Sequence, residues 1–261
     1  MNSGLEIIIA TRNSVRELAQ TAASLAAQTD REFGVLISDN FSTNGVSHLD
    51  AARRQLVAAG IAVRRVKAPF ELQRVEHWNW AHAQSQAAWL KPLHPGEQLK
   101  PGYVARLKER IAARPGAQII RCDLEERAEW GPETQAAPFA PSSITPTEFT
   151  TFFPAHMDWL SHSINFAFGR TAWLATGGYS PQLPGCAALN LHVILALHYG
   201  LENISEVLAT VEVSEASGPH RNGGEQINRS MEKWMILRQA ENYCRSVKLP
   251  WSSPWPASVI F

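Results

Sequence analysis

Cysteine is scarce in this sequence, neither sign of charge is in excess, and no long apolar run occurs. The three cysteines (Cys122, Cys186, Cys244) stand far apart, with no CxxC pair and no Cys/His ligand spacing. A redox or zinc role therefore has no motif, and buried free thiols in a reducing compartment are expected. Lys plus Arg and Asp plus Glu each number 24, so the net charge is zero. A nucleic-acid partner, which needs a basic footprint, is not expected; a phosphate site needs only a few cations. The opening MNSGLEIIIATRNS has no basic segment, and its apolar stretch runs only from Leu5 to Ala10. That is too short for a signal peptide or a membrane span. A cytoplasmic protein is expected, with Trp251 and Trp255 either packed at the terminus or in peripheral contact with a membrane.

What is present is an ordinary globular composition, 45% hydrophobic and 18% charged, enough to bury a full core. Leu5–Ala10 reads as a buried strand, and Ser14 as the cap of a helix to about Gln28. Phe33–Ser38 is a second strand, 46–59 a helix and Ile61–Val66 a third strand. A helix over 74–87, a strand over 88–93, a helix over 101–113 and a strand over 118–122 follow. The stretch 125–143, rich in Pro, Ala and Glu, reads as a long loop. Further on come helices at 171–176 and 187–199, a strand at 208–213, a Gly-rich loop at 214–224 and a long amphipathic helix at 225–247. Alternating strands and helices predict an α/β fold, a doubly wound and mainly parallel sheet flanked by helices with one more at the C-terminus. One domain is expected, with 1–224 forming the ligand-binding body and 225–261 a helix and tail packed on it. Such sheets bind ligands at the carboxyl ends of their strands, which makes Asp39 and the loop 39–45 a candidate site.

Several stretches carry a resemblance. IIIATRNSVRELAQTAASLAAQTDREFGVLISDNFSTNG resembles the opening of bacterial family-2 glycosyltransferases. FELQRVEHWNWAHAQSQAAWLKPLHPGEQLKPGYVARL follows that family's helix, strand and acidic-turn order. INFAFGRTAWLATGGYSPQLP is similar to its acceptor-side segment. The likeness covers roughly residues 4–222 and implies a GT-A fold and inverting transfer of a sugar from a nucleoside diphosphate to a glycan or lipid-linked acceptor. Carried over by position, it makes Asp39 the carboxylate that accepts the base N–H, usually that of uracil, and Ala10 and Thr11 the turn that cradles the base. Arg74 and Asn79 fall where polar contacts to the nucleotide or a helix-locking amide are expected. His220 and Arg221, in the Gly-rich loop, fall where a cation touches the diphosphate.

The departures from that pattern matter as much. The family's Asp-x-Asp turn, which holds ribose and a divalent ion, is here His94-Pro95-Gly96-Glu97, so Glu97 and His94 are the candidate ligands for Mn2+ or Mg2+; Mn2+ tolerates the imidazole better. The acceptor-side carboxylate is also missing from Cys186-Ala187-Ala188-Leu189-Asn190-Leu191-His192. His192 is the candidate replacement base, with Asp158 and His162 as further candidates and a packed helix histidine as the alternative. Glu125, Glu126 and Glu129 read as solvated charges at the mouth of the long loop. Trp78, Trp80 and Trp159 are candidate aromatic platforms. Two functions stay open: a working transferase, or a transferase-like binding or scaffold module. A nicotinamide-dependent enzyme is disfavoured, because no glycine follows the first strand where a pyrophosphate would need close backbone approach.

Overall fold

The computed structural model describes residues 4–128, 134–135, 141–213 and 223–251. In chain order the first half contains β1 (Leu5–Thr11), α1 (Val15–Ala26), β2 (Gly34–Asp39), α2 (Ser47–Ala58), β3 (Ala62–Lys67), α3 (Arg74–Ala83), β4 (Trp89–Pro92), β5 (Gln98–Leu99) and α4 (Tyr103–Ala113). The second half contains β6 (Ile119–Ala128), β7 (Thr134–Gln135), β8 (Ser143–Ile144), α5 (Pro146–Phe152), β9 (Phe166–Gly169), α6 (Arg170–Ala175), α7 (Ala187–Tyr199), β10 (Leu201–Val213) and α8 (Gly223–Ser246). Three 3-10 turns, Phe153–Ala155, Met157–Leu160 and Ser163–Asn165, precede β9.

The strands form one ten-stranded mixed sheet with the path β3-β2-β1-β4-β9-β6-β10-β5. β1, β2, β3, β4, β6 and β10 all run in one direction, while β9 lies antiparallel between β4 and β6. β1 and β2 are covered on both faces, so nearly every residue of LEIIIAT and GVLISD is buried, as central parallel strands require. Alternation along β1 sends Leu5, Ile7 and Ile9 into the core beneath α1, α2 and α4, and Ile8 into the core beneath the other helices. β3 is the exposed edge and carries Arg64, Arg65 and Lys67. Charges of that kind discourage edge-to-edge pairing, and two of them are tied down, Arg64 to Glu6 and Arg65 to Asp50. α8 enters the second core through Ile236, Leu237, Ala240 and Cys244.

The first five elements fall within a residue or two of the sequence reading, and α7 agrees to the residue. Four differences are informative. Ser14 does not cap α1; its hydroxyl bonds the Arg12 carbonyl instead. Glu125 and Glu126 are not in a loop, because β6 continues to Ala128 in parallel register with β10, Glu125 opposite Thr210 and Glu126 opposite Val211. β10 begins at Leu201 rather than 208; irregularities between Ile204 and Ala209 break its alternation. α5 and the turns around it escaped periodicity altogether, although Thr145-Pro146-Thr147-Glu148 is a capping box, with Thr145 N–H donating to Glu148 at 2.9 Å. All three cysteines are buried free thiols. Trp251 is half-buried against the core, its ring 6.4 Å from that of Phe153; Trp255 lies outside the described residues. Among the described residues no helix is long and apolar enough to cross a membrane.

The double glycine has a packing reason. Asn79 on α3 locks the chain at Tyr179 with two bonds, Nδ2 donating to the Tyr179 carbonyl (2.7 Å) and Oδ1 accepting its N–H (2.8 Å). Gly178 turns the chain there at φ 77°, and a Cβ on it would lie 2.6 Å from Asn79 Oδ1 and 3.0 Å from the Trp173 ring. Gly178→Ala is therefore expected to destabilise the protein by at least about 1–3 kcal/mol. Urea unfolding checks this, and an unchanged midpoint would contradict it.

Candidate functional site

The order β3-β2-β1-β4 places the sheet's reversal between β1 and β4. The connections from β1 lead to one side and the chain later returns on the other, which opens a crevice at the strands' carboxyl ends. A cleft of about 1570 Å3 lies there. At one end it is walled by Ala10, Thr11, Asn40 and the segment leading into α3; its floor is at His94 and Glu97, and the far wall is made by the turns before β9, the start of α7 and α8.

The near end is built by turn chemistry. Asn40 clamps the chain ahead of α3, Nδ2 donating to the Leu72 carbonyl (2.8 Å) and Oδ1 accepting the Leu72 N–H (2.9 Å). Asn13, at φ 55°, accepts the Thr43 N–H on its side-chain oxygen at 2.7 Å. Asp39 belongs to this framework. It is 5% exposed, does not line the cleft, and one carboxylate oxygen accepts both the Ser42 N–H (3.2 Å) and hydroxyl (2.6 Å). The expectation of an open carboxylate is corrected: β2 carries Asp39 under the loop it closes, and Asn40 is the residue that reaches the cleft. Ala10 and Thr11 do line it, and Thr11 Oγ1 is buried with no hydrogen-bond partner among the described residues. Such an orphan in a site wall marks a place where a partner belongs.

One wall is a stack. The Arg74 guanidinium lies 5.4 Å from the Trp78 ring centre, and the His94 ring packs on the same indole at 4.7 Å. Arg74 also donates to the Pro184 carbonyl at 2.6 Å, joining α3 to the segment before α7. Asn79 is a structural lock rather than a cleft residue. Trp78 and Trp159 line the cleft; Trp80 does not.

Glu97 and His94 come together as the sequence implied, but their donor atoms do not compose a metal centre. Glu97 Oε2 accepts the His94 N–H at 2.7 Å, so the carboxylate closes its own turn, and the imidazole is held on Trp78. Among the described residues no group of three or more His, Cys, Asp or Glu side chains could hold a metal. A divalent ion needs several oxygen ligands, and this pair offers one partly spent carboxylate. The assignment of Glu97 and His94 as an Mn2+ or Mg2+ site is corrected on that ground: the two side chains do not by themselves compose one.

On the far wall, His192 is fully buried on α7, its Nδ1–H donating to the Leu160 carbonyl at 2.7 Å and its ring stacked on Phe166. Burial pushes its pKa down to about 3. A base must touch the hydroxyl it deprotonates, so the His192 expectation is corrected in favour of a core histidine. Asp158 sits in the turn Met157–Leu160, and its side chain lies outside the described residues, as do Glu129, His220 and Arg221. His162 faces the cleft with Ser161, Ser163 and Asn165. Two residues went unrecognised in the sequence, Arg229 and Lys233 of α8, which line the cleft. A signal existed: they lie four apart and continue the stripe of Ile236, Leu237, Ala240 and Cys244 toward the helix start.

No family model and no curated protein matches the chain. Solved structures do. S. aureus TarS 1–349 in complex with UDP is similar with a TM-score of 0.65 and 13% identity, over 93% of this chain and 72% of that one. A second S. aureus TarS structure gives a TM-score of 0.64 at 13% identity, over 93% of this chain and 43% of that one. The mannosyltransferase PcManGT from Pyrobaculum calidifontis, in complex with GDP-Man and Mn2+, gives 0.59 at 14% identity, over 96% of this chain and 66% of that one. The architecture is thus the GT-A fold, a mostly parallel mixed sheet flanked by helices.

The buried imidazoles have a consequence for stability. His82 is held neutral by burial, its pKa lowered to about 4, as is His192 at about 3. In the unfolded chain both protonate below about pH 6.5, so there the unfolded state binds more protons and stability falls as the pH is lowered. Unfolding free energy is expected to drop by ~1 kcal/mol per pH unit for each histidine between about pH 6 and 4. A flat urea midpoint from pH 7 to 4.5 would contradict it.

Proposed function

We propose that the protein is a glycosyltransferase that moves a sugar from a nucleoside-diphosphate donor to a glycan or lipid-linked acceptor by a single, inverting displacement. The observation that carries this reading is the cleft at the sheet's reversal, whose near end presents backbone and small side chains (Ala10, Thr11, Asn40) to a flat base and whose middle presents cations. Structures of the same fold hold UDP, UDP-GlcNAc and GDP-Man. With the base against Ala10 and Thr11, the diphosphate runs past Arg74 toward Arg229 and Lys233. Preorganised cations of this kind stabilise charge developing on a leaving diphosphate, and His220 and Arg221 are placed by the resemblance to join them. The role we assign is construction of a bacterial surface polysaccharide from the cytoplasmic side of the membrane, by a body spanning 1–224 on which the C-terminal helix is packed.

The competing reading, a binding or scaffold module on a transferase-like fold, draws on the start of α7, which has no carboxylate in its first turn. Turnover separates the two, since a binding module holds the nucleotide and releases no sugar.

UDP, dTDP and GDP titrated into the protein give the direct test. At a hundredfold excess over Kd the preferred nucleotide is expected to raise Tm by roughly 5–10 °C, and a chelator to change its affinity by less than about threefold. Arg74→Ala is expected to weaken nucleotide binding about 10- to 100-fold, as for loss of a charge-assisted bond of about 1.5–3 kcal/mol. Absence of binding by all three, with or without Mn2+, rejects the transferase; strong dependence on the ion rejects the metal-free cleft.

A further inference from the structure

The far wall of the cleft holds an imidazole bonded to a carboxylate. His162 Nε2 lies 3.1 Å from Glu126 Oε1, with the two side chains 38% and 33% exposed. Both residues line the cleft. Strand alternation explains the placement: Glu125 and Arg127 share one face of β6 and pair with each other, Glu125 also reaching Lys100, while Glu126 projects to the opposite face beside Leu124. His162 is fixed from behind. The turn Ser163–Asn165 that follows it is anchored by Lys91 Nζ, which donates to the Ile164 carbonyl and, at 3.1 Å, to that of Phe166.

We propose that His162 is the catalytic base that deprotonates the acceptor, and that Glu126 is its positioning residue; this rests on the transferase reading and supplies the group that α7 lacks. The Nε2–H bond to Glu126 selects the tautomer in which Nδ1 carries the lone pair. That hydrogen bond also holds the Glu126 carboxyl below the usual carboxylate range, so it stays ionised. In the step, Nδ1 takes the proton of the acceptor hydroxyl while the oxygen lone pair forms the new bond to the anomeric carbon. The bond from that carbon to the diphosphate oxygen breaks, and its electron pair leaves with the nucleoside diphosphate. The imidazolium is held by the Glu126 carboxylate until it returns its proton to water. Three other titratable groups around the cleft are engaged: Glu97 caps its own turn, His77 is bonded to the Ser38 hydroxyl at 2.7 Å, and Glu71 is paired with Arg12 at 2.5 Å; Glu212 lines the cleft as well, on β10. Asn165, 2% exposed on the same wall, keeps its side-chain oxygen without a partner among the described residues, a place for a sugar or acceptor hydroxyl to donate.

The test uses the full chain, with UDP-N-acetylglucosamine and GDP-mannose as probes and water as the acceptor, reading nucleotide release. His162→Ala is expected to lower kcat by 10^2- to 10^4-fold while UDP affinity stays within about threefold of the wild type and added imidazole restores part of the rate. Glu126→Gln is expected to lower kcat by roughly tenfold or more at unchanged KM, with Glu126→Asp recovering most of it. A His162→Ala protein that turns over at the wild-type rate, or whose lost rate imidazole does not restore, overturns the assignment of the base. A variant that loses UDP binding along with its rate overturns it too, since His162 would then be structural. A wild type that binds no nucleotide, or binds it and releases none from either donor, overturns the transferase reading and the base with it; nucleotide binding by the wild type is therefore measured first.

Discussion

Lys91 has no exposed surface, and its ammonium group bonds main-chain carbonyls two residues apart, at Ile164 and Phe166, beneath the ring of Tyr103. Burial lowers its pKa to about 8, yet it remains a cation at neutral pH because the carbonyls replace its water. A buried charge is tolerated only when its hydrogen bonds are made, so the chain before β9 has to stay where it is. The strand carrying Lys91 ends at Pro92, two residues before His94 on the floor of the cleft, while the turn it grips carries the far wall. One side chain thus fixes the spacing between the floor of the cleft and its far wall.

Electrostatic balance explains how the cleft can do without its expected carboxylates. Two aspartates and a divalent ion sum to no net charge, so removing all three together leaves the field along the cleft close to what it was. Replacing only one of them would not. Here the turn His94-Pro95-Gly96-Glu97 carries one carboxylate, and Glu97 is turned inward on the His94 N–H. The guanidinium of Arg74, fixed between Trp78 and the Pro184 carbonyl, is then opposed by little negative charge from that floor. A preorganised cation pays little reorganisation energy when charge develops beside it. The single inward-turned carboxylate of that turn and the presence of Arg74, Arg229 and Lys233 along the cleft describe one arrangement.

The fold was legible where apolar runs were short and bounded by turns. β1, β2 and β3 with α1 and α2 follow from β-branched runs and helical periodicity, and the reversal after β3 follows from the α/β alternation. The second half hid its structure because its pairings are non-local. β6 runs past Cys122 through polar residues only because β10 lies beside it, and β10 itself is interrupted in register. Within the site, Ala10, Thr11, Arg74, His94 and Glu97, singled out by position in the sequence, line the cleft. The error over Asp39 has a plain cause: the end of a strand names the right corner of the sheet but not the direction of the side chain. His192 failed for the opposite reason. A helix without period, apolar on almost every face, buries nine of its thirteen residues, and nothing in its sequence marks one histidine as facing a cleft. Glu126 was discounted as a solvated charge because its strand was not recognised.

The far wall of the cleft differs from the end at Ala10 and Asn40 in what holds it together. Around Ala10 and Asn40 the chain is fixed by exposed or half-buried turn bonds, each of which can open alone. The far wall rests on buried charge. Arg121, 2% exposed, donates to Asp123 at 2.6 Å and to Asn203 at 3.1 Å, joining β6, the strand that carries Glu126, to β10. Removing one member of such a pair leaves the other buried and uncompensated, at a cost of about 3–5 kcal/mol, so this network is kept whole or lost whole. A wall of that kind suits a base better than a ligand clamp, because proton transfer tolerates little displacement while a nucleotide can be met by a turn that closes on it. The asymmetry between a compliant end and a stiff one therefore matches the division of labour assigned to the cleft, with recognition where the chain can adjust and chemistry where it cannot.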